Sequence, residues 1–246
     1  MSPSLQFRTR EVEDEHWWFA VRNELVLGWL AELLPGGCKV VDAGCGTGGL
    51  LSRLDRWQAL GFDLDDVALD LCRQRGLHGV IKADIACIPL PPASVDAVLC
   101  LDVLYHQQAR PEESLAEFWR ILSPGGVLLL NLAAHRGLAG EHDRQVCGAR
   151  RHSMDMVRGQ LARLNFDILR MHHWNVALTP LIWLWRRLAG QIRPGHTDLW
   201  MPPALLNRAL RGMVSCECGM AEAVGCRLGS SLFVAAIKPH AEVADS

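Results

Sequence analysis

Residues Lys39–Gly48 read Lys-Val-Val-Asp-Ala-Gly-Cys-Gly-Thr-Gly, a β-branched run that ends in an acid and then in alternate glycines. Val40 and Val41 favour a strand, and the glycines permit a tight turn and a close backbone approach that side chains would block. The following Gly-Gly-Leu-Leu-Ser-Arg-Leu-Asp-Arg (48–56) spaces its apolar residues as a helix would. The stretch therefore predicts a strand, a glycine turn and a helix N-terminus, an arrangement that aims free N–H groups at a ligand. Gly44, Gly46 and Gly49 also fit the G-x-G-x-x-G spacing of dinucleotide sites, which is unspecific on its own.

Reading outward, the chain alternates. Strands are expected in ALGFD (59–63), GVIKAD (79–84), VDAVLCLDV (95–103) and GGVLLLNLAA (125–134). Between them, DDVALDLCRQRG (65–76) carries aspartates suited to a helix start and a glycine suited to its stop. PEESLAEFWRIL (111–122) has proline in its first turn, acids near the positive end of the helix dipole and an apolar stripe. This alternation predicts an α/β fold: a Rossmann-like, mostly parallel seven-stranded sheet with helices on both faces. Such sheets bind ligands beyond the carboxyl ends of their strands. FDILRMHHW (166–174) and SSLFVAAIKP (230–239) supply the last two strands, with a helix at SMDMVRGQLARLN (153–165) closed by Asn165 in a left-handed conformation. EHWWFAVRNELVLGWLAELL (15–34) reads as one long N-terminal helix. The expected division is 1–34 as a helical lid, 35–133 as the binding core, 134–229 as an acceptor-covering elaboration with strand six, and 230–246 as closing strand and tail.

Composition narrows the function classes. Half of the 246 residues are apolar, and 25 basic against 27 acidic side chains give a net charge of -2, with no electrostatic footprint for nucleic acid. The nine cysteines sit mostly in apolar runs at irregular spacing, which favours a reducing, cytoplasmic setting over a disulfide framework. No signal-type segment is evident at the N-terminus, and the longest uncharged apolar stretch, Val176–Trp185, has ten residues, too few to span a bilayer. The stretch TPLIWLWRR (179–187) suits either a helix packed on the acceptor side or one in peripheral contact with lipid. Cys216, Cys218 and Cys226 lack the paired spacing of a zinc site, so no metal is expected.

Asp42-Ala43-Gly44-Cys45-Gly46-Thr47-Gly48 resembles motif I of class I S-adenosylmethionine-dependent methyltransferases. The resemblance covers residues 39–133 most specifically, and it implies S-adenosylmethionine as cofactor, with the glycine turn against its methionyl part and Asp42 near its amino group. Asp63, followed by Leu64, would accept from the ribose hydroxyls, and Asp84 with Ile85 would meet the adenine. Leu101, Asp102 and His106 resemble motif IV and its loop, which line the channel between cofactor and acceptor. His106 is the first candidate for a general base, having an ordinary pKa near neutrality, with packing or cofactor positioning as its other reading. Glu15-His16-Trp17-Trp18-Phe19 and Arg22 resemble the lid of bacterial small-molecule methyltransferases, where Trp17 and Arg22 would touch the cofactor; burial of the tryptophans in a core explains them equally. His142, in Gly-Glu-His-Asp-Arg (140–144), is the second catalytic candidate.

The expected activity is methylation of a small molecule such as a natural-product, quinone-like or lipid-linked intermediate, by a monomer or homodimer. Two other readings stay open: an NAD-binding oxidoreductase that uses the same glycine turn, and a non-catalytic protein that binds S-adenosylmethionine.

Overall fold

The computed structural model describes residues 3–106, 108–134, 152–181, 184, 200–224 and 229–240. Seven strands form one sheet: β1 Lys39–Ala43, β2 Gln58–Asp63, β3 Val80–Lys82, β4 Val95–Leu101, β5 Leu122–Ala133, β6 Asp167–Trp174 and β7 Ser231–Ile237. Their spatial order is β3-β2-β1-β4-β5-β7-β6. The pairs β1–β2, β1–β4, β2–β3 and β4–β5 are parallel, whereas β7 runs antiparallel to both neighbours. Strand order reverses between β1 and β4, so the crevice at their carboxyl ends is the switch point where ligands bind in open α/β sheets.

Both faces of the sheet are covered, and alternation along each strand sorts its side chains between them. Val40, Leu99 and Leu129 turn to one face and pack with Val26, Trp29 and Leu30 of α2 (Trp17–Leu33), Leu69 and Cys72 of α3 (Asp66–Gln74), and Val214. Val41, Cys100 and Leu128 turn to the other and meet Leu115 and Phe118 of α4 (Pro111–Ile121) and Leu161 of α5 (Met154–Arg163). The remaining helices are α1, Pro3–Val12, and α6, Ala204–Val224.

The predicted helix boundaries follow their local chemistry. Asp65 caps α3 by accepting from the Val67 amide at 3.0 Å, and Gly76 takes φ +84° after its end. Asn165 takes φ +58° after α5. One expectation is corrected. Residues 48–56 do not form an α-helix; after the glycine turn the chain makes only the 3-10 turn Leu51–Arg53. Leu50, Leu51 and Leu54 are buried, and leucines at i, i+1 and i+4 can bury in a tight turn as readily as in a helix. The helix α6 was not foreseen, because its apolar residues lie on two sides: Val214 and Cys218 are buried while Leu205, Met213 and Met220 are exposed.

Candidate active site

The site is built where β1, β2 and β4 end. After Ala43 the chain reverses through Gly44, Gly46 and Gly48, all at positive φ, and the Gly44 and Cys45 amides donate to the Phe62 carbonyl at 2.7 and 3.0 Å. A side chain at Gly44 would run into Val103, and one at Gly48 into Leu77 and Cys72. At Gly46, by contrast, an added Cβ would meet nothing within 4 Å, so the turn opens there. Cys45 and Cys72 lie side by side beneath the turn; their mutual hydrogen bond, then burial, pushes the Cys45 thiol up, so it packs as a small apolar group.

Asp63 ends β2 and reaches across to that turn. Its carboxylate accepts from the Gly46 amide and from the Asp65 amide, both at 2.9 Å. Burial nevertheless holds its pKa above the usual carboxylate range, with those two amides pulling it back down. Asp42 is buried in β1 itself, and burial pushes it up to about 7; Arg22 opposes this, while Asp63 and Glu13 add to it. Asp102 follows β4 in a left-handed conformation at φ +58°, and burial raises its pKa too, against Arg22 and Asn131. Three carboxylates at or just past the ends of β1, β2 and β4 thus have raised pKa values, in each case first through burial.

Asp102 is held by a closed circuit of contacts. Its amide donates to the Asn131 carbonyl at 2.9 Å, and its carboxylate accepts from Asn131 Nδ2 at 2.8 Å. Asn131 in turn accepts from Trp174 Nε1 at 2.9 Å. The second carboxylate oxygen of Asp102 takes Arg22 Nη1 at 3.0 Å, and the Arg22 guanidinium lies 5.2 Å over the rings of Trp18 and Phe19. Trp18 stacks on Trp174 at 5.9 Å, which closes the circuit. The helix α2 is thereby fastened to the carboxyl ends of β4, β5 and β6. An apolar residue at 131 would strand a carboxylate oxygen and an indole N–H in the interior, at a cost of about 2–5 kcal/mol.

The remaining candidates are placed less uniformly. Asp84 caps its own turn by accepting from the Ala86 amide at 2.9 Å, and pairs with Arg110 at 2.8 Å on the surface. Ile85 and Leu101 are buried, and Leu64 is half exposed. Trp17 is half buried, its amide donating to Asn207 at 2.9 Å, and Thr47 is buried. His106 stands in the turn after β4, its ring stacked on Tyr105 at 4.5 Å, close enough that its charge helps keep Asp102 ionised. His142 and most of 179–187 lie outside the described residues. Among the described residues no cluster of ligands suited to a metal is found, and no helix is long and apolar enough to cross a membrane. Glu13, Asn131 and Trp174 were not foreseen in the sequence.

Comparison with known proteins bears on the family and the fold. Residues 41–130 match the family model described as a methyltransferase domain. The chain is 37% identical over 123 residues to malonyl-[acyl-carrier protein] O-methyltransferase of Serratia marcescens, covering 46% of each. It is 30% identical over 177 residues to fatty-acid O-methyltransferase of Mycolicibacterium smegmatis, covering 66% of this chain and 63% of that protein. The chain thus spans about half to two thirds of the length of these relatives. A Haemonchus contortus phosphoethanolamine N-methyltransferase solved with S-adenosyl-L-methionine has the same fold, at TM-score 0.59 and 20% identity over 89% of this chain and 52% of that one. The fold is that of the class I methyltransferases, and residues 41–130 match a methyltransferase domain. The match favours a methyltransferase turn over an oxidoreductase one for the shared glycine spacing.

Proposed function

We propose that the protein transfers a methyl group from S-adenosylmethionine to an oxygen, hydroxyl or carboxyl, of a small and largely apolar acceptor. The observation that carries this reading is the set Asp42, Asp63 and Asp102 around an open glycine turn at the switch point of the sheet. When bound, the cofactor supplies an already activated methyl group on a positive sulfonium. The donor set fits such a group: one buried and two partly buried carboxylates suit its positive charges, Asp63 suits a ribose diol, and Gly46 leaves room for close approach.

In this reading Gly44–Gly48, with Cys45 and Thr47, cradle the methionyl part, and Asp84, Ile85 and Leu64 border the base. Arg22 and Asp102 form an ion pair of the polarity that an amino-acid zwitterion would complement. Trp17, Trp18 and Leu101 exclude water beside them, which strengthens every charge interaction in the crevice. His106 takes a proton where the acceptor is a hydroxyl; a carboxylate acceptor needs no base. Residues 1–34 serve as the cover, 35–133 as the cofactor core and 134–229 as the acceptor side. The acyl-type acceptors named for the two relatives support an amphiphilic substrate.

The test is a panel of fatty acyl, phenolic and isoprenoid acceptors incubated with trideuteromethyl cofactor and read by mass spectrometry. The expected result is the label on an acceptor oxygen. A product of unchanged mass, formed with cofactor bound and not consumed, would overturn methyl transfer in favour of a non-transferring use of the cofactor site.

A further inference from the structure

The helix α1 ends on the glycine turn, and the chemistry of the turn alone does not explain why. Glu13 is 6% exposed, and its carboxylate accepts from Thr47 Oγ1 and from Arg75 Nη2. Arg75 is itself fixed there, donating from Nε to the Thr47 carbonyl at 2.8 Å and from Nη1 to Asp14 at 2.9 and 3.0 Å. Further back along α1, Gln6 Nε2 donates to Asp65 Oδ2 at 3.0 Å, and the Asp65 amide is the one held by Asp63. One short helix therefore grips both loops that border the candidate cofactor crevice.

Gly49 completes the arrangement. Its φ is not in the left-handed region, so no backbone conformation demands a glycine. What fills the space of its absent side chain is Glu13: an added Cβ would lie 2.6 Å from Glu13 Cδ and 3.0 Å from Cγ. A buried carboxylate is costly unless fully paired, and here every partner belongs to the turn, to the residue that braces it, or to the slot beside it.

We propose that Glu13 is a positioning residue for the cofactor: carried in by α1, its carboxylate clamps Thr47 and Arg75 and holds the glycine turn in its binding form, with Gly49 as the slot that admits it. The proposal rests on the cofactor reading given above. It deepens that reading by giving the N-terminal segment a defined part in binding.

The test uses the full chain in four variants, Glu13→Ala, Glu13→Gln, Gly49→Ala and the double Glu13→Ala/Gly49→Ala. Two quantities are read: affinity for S-adenosylhomocysteine by calorimetry, and amide hydrogen exchange without ligand. Each alanine single variant should bind about tenfold more weakly and exchange faster at 46–50. The double variant should be no worse than either single, because Gly49→Ala acts by evicting the carboxylate that Glu13→Ala already removes. Glu13→Gln keeps the acceptor for Thr47 and loses the ion pair, so it should fall between wild type and Glu13→Ala. Amides of β5 should keep their protection, which separates local loosening from unfolding. Additive losses in the double variant, unchanged exchange at the turn, or equal acceleration in β5 would overturn the clamp. Tighter binding by Glu13→Ala would make Glu13 a competitor for the site and overturn it as well. If wild type takes up no S-adenosylhomocysteine, the cofactor reading falls, and the exchange data still decide whether Glu13 orders the turn.

Discussion

Asp63→Ala is expected to weaken cofactor binding about a hundredfold, roughly 2–3 kcal/mol, by removing a charge-assisted acceptor of two hydrogen bonds. The structure gives this carboxylate a second task. It already accepts from the Gly46 and Asp65 amides, so it ties the end of β2 to the glycine turn. Alanine would remove the ribose acceptor and release the Gly46 amide together. Asp63→Asn keeps one acceptor in the same position and should recover part of the loss. The residue ends a strand and does not fill the core, so the alanine variant should still fold, which its far-ultraviolet circular dichroism would report. A folded Asp63→Ala protein with unchanged affinity would remove Asp63 from the cofactor site.

His106→Ala is expected to lower turnover of a hydroxyl acceptor by about 10²–10⁴, with cofactor affinity kept within about threefold. The geometry that supports this is modest and specific. The His106 amide donates to the Val103 carbonyl at 3.0 Å, its ring is stacked on Tyr105, and its charge is felt by Asp102 at the end of β4. His106→Gln retains a hydrogen-bonding side chain and cannot accept the proton at neutral pH. Near-normal turnover by the glutamine variant would make His106 a positioning group, as would an insensitive alanine variant assayed with a hydroxyl acceptor. The acceptor found by mass spectrometry is the substrate for this comparison.

Much of the architecture was legible because the residues that decide it act locally. Val40 and Val41, the three left-handed glycines, the Asp65 cap and the Asn165 stop each follow from propensity and backbone freedom. Asp42, Asp63 and Asp84 could be read as acids at successive strand ends, since a parallel sheet gathers such residues along one edge, whereas Asp102 was named only through its likeness to motif IV. What the sequence concealed is what depends on distant pairing. Asn131 looks like one polar residue in a buried strand until β5 sets it between Asp102 and Trp174, which lie 29 and 43 residues away. Trp18 and Trp174 are both unremarkable aromatics until α2 crosses the sheet edge and stacks one on the other. Glu13 had no motif to announce it, because its meaning lies in the missing side chain of Gly49. The turn at 48–56 was misread for another reason: leucines at that spacing bury equally well in two helical forms, and only the length of the connection chooses between them.

Asp42 gives the cofactor claim its most direct test. Its pKa of about 7 in the free protein arises first from burial, so below that value the site is largely protonated and less attractive to a cation. The same shift has a sign for stability: a carboxyl raised in the folded state favours folding at acid pH, and that contribution is lost as pH rises toward 7. Binding of a positively charged cofactor should reverse the balance, lower the Asp42 pKa and release a proton. The measurement is calorimetric titration of the full chain with S-adenosylmethionine at pH 5.5 and at pH 7.0, below the range in which the cofactor's own amine titrates. The expected result is a low-micromolar Kd at pH 7.0, about 8 kcal/mol of binding free energy, roughly tenfold weaker binding at pH 5.5, and loss of that pH dependence in Asp42→Asn. No uptake of S-adenosylmethionine or its demethylated product at either pH, alongside clear binding of NADH, would contradict it.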